Sequence, residues 1–267
     1  MTTDIFYFSG TGNSFHIAKS IQSHLQDYEN ETVTLFPITA AALKARPNSS
    51  ANRIGFIYPT YDLDAPKIVK RFVEAFSFLG VTESHVFVYV NSGGMPGNAI
   101  SSIKKILDAK GISLKSTFDV IYPDNSVLYP IELGEKLSIA DKKHRIDAEK
   151  IRTMDSNAIS PYSKFSFKYR LMGTVFDLVT HHYFGFKDIR VNSTCIGCNT
   201  CEKVCPADNI VMIDERPSFK SNCEMCFACI HACPKQSLKY KRMPKRDGFQ
   251  YRHPEVPLKA LYRNESS

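Results

Sequence analysis

Residues 7–16, Tyr7-Phe8-Ser9-Gly10-Thr11-Gly12-Asn13-Ser14-Phe15-His16, decide how the first half of the chain is read. Two glycines and three hydroxyls separate an apolar run from a helical pattern that puts Phe15, Ala18, Ile21 and Leu25 on one face. Residues 4–9 read as a buried strand and 13–26 as a helix. A loop at that junction points backbone N–H groups at an anion, and the helix dipole favours negative charge there. There is no Lys or Arg in the loop. It has no G-x-x-x-x-G-K-[ST], and Phe15 stands where a dinucleotide fingerprint needs its third glycine. What remains, Ser9 to Ser14, suits a terminal monophosphate held by amides and by the hydroxyls of Ser9, Thr11 and Ser14. With no ligand, the same residues would be a Gly/Ser-rich turn.

Outward from this loop, strand signals recur at Thr32–Phe36, Ile54–Tyr58, His85–Asn91 and Thr117–Tyr122. Helical patterns lie between them, from Pro66 to Leu79 with a stop at Gly80, and from Asn98 to Lys110 with a stop at Gly111. Strands that are apolar throughout and alternate with helices imply a parallel sheet covered on both faces. The expected fold class is α/β, a doubly wound five-stranded parallel sheet in the order 2-1-3-4-5. Two more loops fall at carboxyl ends of strands beside the switch point, where ligands bind in such sheets. Pro59, Thr60, Tyr61 and Asp62 offer an aromatic to stack on a ring. Asn91, Ser92, Gly93, Gly94, Met95 and Gly97 offer backbone able to approach a ring edge closely.

Residues 131–187 break the alternation. They read as two helices that cap the sheet and connect it to the C-terminal region, the first charged and the second rich in Lys and aromatics. Phe165, Phe167, Tyr169, Phe176, Tyr183, Phe184 and Phe186 are expected to pack inward, as Phe and Leu at helical spacing usually do; the weaker reading is a membrane-surface helix. The expected division is 1–130 for the sheet domain, 131–187 for the connector, 188–243 for a cysteine-rich domain and 244–267 for a basic tail.

All 8 cysteines lie between Cys195 and Cys233. A secreted disulfide framework would spread its bridges along the chain, so a reducing compartment and a metal centre are expected. The segment is an internal repeat, each half reading C-x2-C-x2-C-x3-C-P, the bacterial two-cluster ferredoxin spacing. Three close cysteines wrap one corner of a cubane, and the fourth, followed by proline, reaches the other cluster. Cys195, Cys198, Cys201 and Cys233 are the expected ligands of one [4Fe–4S] cluster, and Cys205, Cys223, Cys226 and Cys229 those of the second. Structural zinc uses paired C-x2-C knuckles, which this pattern is not.

Composition is that of an ordinary globular protein, 43% hydrophobic and 23% charged over 267 residues. No run of 18 uncharged apolar residues occurs, and the start Met1-Thr2-Thr3-Asp4 is not a signal peptide, so a cytoplasmic location is expected. The formal charge of +7 counts every thiol as neutral. Two clusters and a bound monophosphate would remove about 6 units. What survives is local: Lys235 to Ser267 carries nine Lys/Arg against three Asp/Glu, a net of +6. No nucleic-acid module accompanies it.

The phosphate, aromatic and glycine loops, in that order, resemble flavodoxin, and the resemblance implies FMN. The repeat resembles a two-cluster bacterial ferredoxin. Together with Pro123-Asp124-Asn125 and Tyr251-Arg252-His253-Pro254, the chain resembles the ferredoxin–flavodoxin fusion proteins of anaerobic bacteria and archaea. That family implies electron transfer. Two departures stand out. Residues 91–98 lack the second stacking aromatic, and Thr60-Tyr61-Asp62-Leu63 lacks the glycine whose peptide flips on flavin reduction. Asp62 and Asp64, if near the flavin N1, would lower its potential.

The leading expectation is an electron-transfer iron–sulfur flavoprotein whose basic tail (Lys239, Lys241, Arg242, Lys245, Arg246) docks an acidic redox partner such as a ferredoxin, or a reductase. The rival is a reductase of a small unsaturated acceptor, such as a quinone, at an open flavin face. A redox sensor is a third class, without a DNA-binding helix pair to support it. None of the eight histidines has a nameable partner in the sequence, and all are taken as surface or core residues.

Overall fold

The computed structural model describes residues 1–79, 84–126, 134–186, 188–243 and 250–263. The chain runs through β1 (Thr2–Tyr7), α1 (Asn13–Gln26), β2 (Thr32–Pro37), α2 (Ala40–Lys44), β3 (Arg53–Pro59), α3 (Lys67–Ala75), β4 (His85–Ser92), α4 (Ala99–Ala109) and β5 (Leu114–Ile121). The five strands form one parallel sheet in the order β2-β1-β3-β4-β5. This is the flavodoxin-like doubly wound order.

Alternation along each strand sorts side chains into two cores. Phe6, Phe56, Tyr58, Val88 and Val90 face α3 and α4, with Ile68, Phe72, Ile100 and Ile103 opposite. Ile5, Tyr7, Ile57, Phe87 and Tyr89 face the other way, against Phe15, Ile17, Ile21 and Leu25 of α1. Burial on both faces is why these strands read as unbroken apolar runs.

The second core also holds Ala140, Ala148 and Ile151 of α5 (Gly134–Arg152), which packs beside α1. Beyond it, Thr117 N–H donates to Ala158 O (2.8 Å) and Ser160 N–H to Thr117 O (3.0 Å), extending the edge at β5. The first helix of the expected connector is thus a layer of the sheet domain itself, reaching past the boundary placed at 130.

Three further expectations change. The helix after Pro66 ends at Ala75, because Ser77 and Phe78 leave it to bridge Asn48 and Ser49; Leu79 is exposed, and Gly80 lies outside the described residues. The fifth strand starts at Leu114, three residues early. The inward packing of the second helix fails for most of its aromatics. On α6 (Phe167–Leu178) and its flanks, Phe165, Phe167, Phe176 and Tyr183 are exposed; Phe186 is buried, Tyr169 and Phe184 half-buried. Both sheet faces are already covered, so α6 lies outside them as a further layer. Its small face, at Gly173, meets the Asp62 carbonyl.

The C-terminal module keeps its own small core, including Val204, Ile210, Phe227, Ile230 and Leu238. β6 (Ile189–Val191), α7 (Thr200–Lys203), β7 (Ile210–Ile213), β8 (Arg216–Phe219), α8 (Ala228–Ala232) and β9 (Leu238–Tyr240) give two antiparallel ribbons, β6 with β9 and β7 with β8. The described tail does not hang free. Tyr251, His253 and Val256 are buried, and Arg263 pairs with Asp208 and Glu202. No helix among the described residues is long and apolar enough to cross a membrane.

Candidate redox site

The sequence repeat is also a backbone repeat. Gly197 and Met225, each the second residue after the first cysteine of its half, are left-handed (φ 67° and 54°). So are Asn199 and Phe227 (61° and 55°), then Asp208 and Gln236 (53° and 49°), three residues past the fourth cysteine. Left-handed non-glycine residues cost about 1 kcal/mol or more each and persist where the surroundings dictate them. Here they turn the chain so that amides face the sulfurs. Asn209 N–H donates to Cys205 Sγ (3.3 Å), Met225 N–H to Cys223 Sγ (3.4 Å) and Ser237 N–H to Cys233 Sγ (3.2 Å).

None of the eight cysteines is in a disulfide. Cys195, Cys198, Cys201 and Cys233 line one small pocket, walled by Ile196, Met212, Pro217 and Leu238. The other four form a second neighbourhood. Burial pushes the Cys226 and Cys229 thiols far up, and the charges of Cys205 and Cys223 push them further. Burial likewise lifts Cys201 to about 11. Buried thiols crowded together in this way resist ionisation unless metal is present. That donor chemistry fits thiolate-bound iron.

The 9–14 loop sits directly beneath the second cysteine loop. A Cβ on Gly10 would lie 2.6 Å from the Cys226 carbonyl oxygen. Gly12 is left-handed (φ 102°), and a Cβ there would meet His253 and Val256 at 3.1 Å. Gly12 caps α1 without a side-chain hydrogen bond, so the helix start is available to an anion. Gly12 N–H donates to Ser9 Oγ (3.1 Å), and Asn125 Nδ2 to Thr11 Oγ1 (2.8 Å), which leaves both hydroxyl protons to give. Ser14 O–H donates to Asn91 Oδ1 (2.6 Å), which ties the phosphate loop to the glycine loop. Asn13 accepts from the Tyr251 hydroxyl (2.6 Å).

The other two expected loops converge beside it. Thr60 N–H donates to Asn91 O (2.9 Å) where Pro59 faces Asn91, and Thr60 Oγ1 donates to Pro96 O (2.9 Å). Gly97 is held against Leu63. Gly93, Gly94 and Met95 are exposed, and Ser92 Oγ is buried without a partner among the described residues. An uncapped helix start, two free hydroxyl protons and an orphaned buried serine fit the phosphate end of a flavin nucleotide.

Tyr61 lies edge-on to Phe8, its hydroxyl buried and unpartnered among the described residues, and burial beside Cys226, Glu224 and Cys223 raises its pKa well above normal. Asp62 and Leu63 are left-handed (φ 48° and 60°), so the loop makes its turn without glycine. Burial and the neighbouring Asp177 raise the Asp62 carboxyl. Asp64 pairs with Lys70 and accepts from Ala65 N–H (2.7 Å) and Ser102 Oγ (2.5 Å). These carboxylates serve the α3, α4 and α6 side of the loop.

A protein-family model described as "4Fe-4S dicluster domain" matches residues 187–234. The cysteine module is thus similar to a 4Fe-4S dicluster domain, and the chain joins it to a flavodoxin-like sheet. No curated protein matches. Among solved structures, similarity is found to rubredoxin oxygen:oxidoreductase from the anaerobe Desulfovibrio gigas (14% identity, TM-score 0.37, 57% of this chain and 36% of that one). It is also found to a flavodoxin from the domain Archaea (15%, 0.38, 57% and 99%) and to the C101S mutant of flavodoxin from Pseudomonas aeruginosa (10%, 0.41, 58% and 98%). The chain thus spans about a third of the first of these proteins, and such low scores add nothing to what the sheet order shows.

Sequence reasoning missed how the dicluster module is fastened. Glu224 accepts from Ile68 N–H at the start of α3 (3.0 Å) and from Arg71 (2.6 Å). His231 bridges Asn125 O (2.8 Å) and Tyr251 N–H (2.9 Å). A lone Glu or His carries no spacing signal for a partner some 100 residues away. The sequence could name no partner for any histidine, yet His16, His144 and His253 share one region.

Proposed function

We propose that this is a cytoplasmic iron–sulfur flavoprotein that moves electrons between two [4Fe–4S] clusters, FMN and an external redox partner. The observation that carries the reading is the contact between the Cys223–Cys229 loop and the phosphate and aromatic loops, at Gly10 and Tyr61. Bound at these sites, the clusters would exchange single electrons, and FMN would couple them to two-electron chemistry. Ser9, Thr11 and the α1 amides would hold the phosphate, and Tyr61 would stand between the ring-binding loops and the second cluster. Ile196, Met212 and Leu238 line the first set of sulfurs, and apolar lining, N–H donors and exposure together set a cluster's potential.

Lys239, Lys241 and Arg242 are exposed and suit an acidic partner such as a ferredoxin; Lys245 and Arg246 lie outside the described residues. A partner docked there would be reduced more slowly as salt rises, and indifference to salt contradicts this docking site.

A second reading, reduction of a small unsaturated acceptor such as a quinone, is favoured by one feature. An open groove runs between the 61–66 loop, α4 and α6, reaching Cys223 and Met225. After anaerobic reconstitution, a screen of donors and acceptors separates the two. Exchange with proteins and dyes alone supports the carrier; saturable turnover of a small acceptor supports the reductase.

A further inference from the structure

One cluster of ligating side chains belongs to neither redox module. His16 lies on α1, just past the phosphate loop, and Asp141 and His144 lie one turn apart on α5. One atom from each falls within 4.8 Å of the others. His16 Nε2 is 3.0 Å from Asp141 Oδ1, and His144 Nδ1 is 3.8 Å from the same oxygen. Ligands held about 2.0–2.1 Å from one tetrahedral ion stand about 3.4 Å apart, so these separations bracket that value.

The far sides of both rings are engaged as they are in metal-binding histidines. The Glu255 carboxylate lies 3.6 Å from His16 Nδ1, and the Tyr122 hydroxyl 3.4 Å from His144 Nε2. His144 is 0% exposed, and its Nδ1, facing Asp141, has no hydrogen-bond partner among the described residues. His253, stacked on His16 at 3.9 Å, brings another buried and unpartnered nitrogen, Nε2. Simple packing accounts for the His16–Asp141 contact but leaves both nitrogens bare, which native interiors avoid.

We propose that His16, Asp141 and His144 form a binding site for a divalent transition metal of the zinc class, placed where α1 and α5 meet the C-terminal segment. Two imidazoles and a carboxylate suit Zn²⁺, and an acidic residue three before a histidine on one helix is a spacing that presents both to one ion. With Glu255 behind His16, the ion fastens the 250–263 segment to the sheet.

The test uses the full chain with its clusters in place, at matched iron and labile-sulfide content. After chelation, anaerobic titration with Zn²⁺ is expected to load about one equivalent, with a zinc K-edge spectrum fitted by nitrogen and oxygen and no sulfur. Asp141→Asn, at a position 43% exposed, is expected to weaken binding at least about tenfold, and Tyr122→Phe by about 10–100-fold through His144 alone. His16→Gln serves as a second ligand variant, and His24→Gln, on the same pair of helices, as the control that leaves affinity unchanged. No saturable zinc, a sulfur shell, or equal affinity in Asp141→Asn and His16→Gln overturns the proposal.

Discussion

Gly10 and Gly94 are both glycines of flavin-type loops, yet their surroundings are opposite. A methyl on Gly10 would press on the Cys226 carbonyl at 2.6 Å, while one on Gly94 would meet nothing within 4 Å. Gly10→Ala is therefore expected to destabilise the protein by about 1–3 kcal/mol, lowering the melting temperature by several degrees, and Gly94→Ala by less than about 0.5 kcal/mol. Thermal unfolding of the reconstituted protein decides. His85 gives a pH counterpart. It is buried against Ser116 (2.8 Å), and desolvation, with Arg53 and Lys115 nearby, lowers it from 6.5 to about 4. A group depressed on folding contributes stability that is complete above its unfolded pKa, near 6.5. That contribution is lost as pH falls through the window toward about 4. Denaturant midpoints at pH 7 and pH 5 should fall further apart in wild type than in His85→Gln; equal gaps contradict this role.

The element scale shows where a periodic pattern misleads. On α3, Ile68, Phe72 and Val73 are buried, and the same spacing on α6 leaves Phe167 72% and Leu171 58% exposed. Phe72→Ala is expected to cost about 3–5 kcal/mol, and Phe167→Gln or Leu171→Gln within about 0.5 kcal/mol. Periodicity locates a helix and its apolar face; it does not say whether another layer remains to cover that face. β3 and β4 were legible because burial on both faces writes itself into local composition, and α1 and α4 because their apolar residues recur at helical spacing. The docking of Glu224 on α3 was not, because it joins residues 153 and 156 apart. Removing the carboxylate separates its two tasks. Glu224→Ala loses the helix cap and the Arg71 pair and should cost about 1–2 kcal/mol, whereas Glu224→Gln keeps an acceptor for Ile68 and should cost less. Equal losses would place the effect in the ion pair alone.

At the scale of the molecule, the 250–263 segment touches both modules. His253 N–H donates to Thr11 O (2.9 Å), Tyr251 bonds Asn13, and Arg263 N–H donates to Lys203 O (2.9 Å). The sequence reads this stretch as a solvated basic tail, since charge content alone does not reveal that every few residues one side chain is buried. Ending the chain after Met243 should loosen the modules, seen as a larger radius in small-angle scattering; an unchanged radius would mean that the Glu224 and Cys226 contacts suffice. What the whole arrangement predicts is electron transfer inside one molecule. The direct test mixes the fully loaded, oxidised protein with reductant and follows the clusters by freeze-quench electron paramagnetic resonance and the flavin by absorbance. The reduced-cluster signal should decay as the flavin bleaches, at a first-order rate independent of protein concentration. A rate that rises linearly with concentration, or reconstituted protein that retains no flavin, would contradict it.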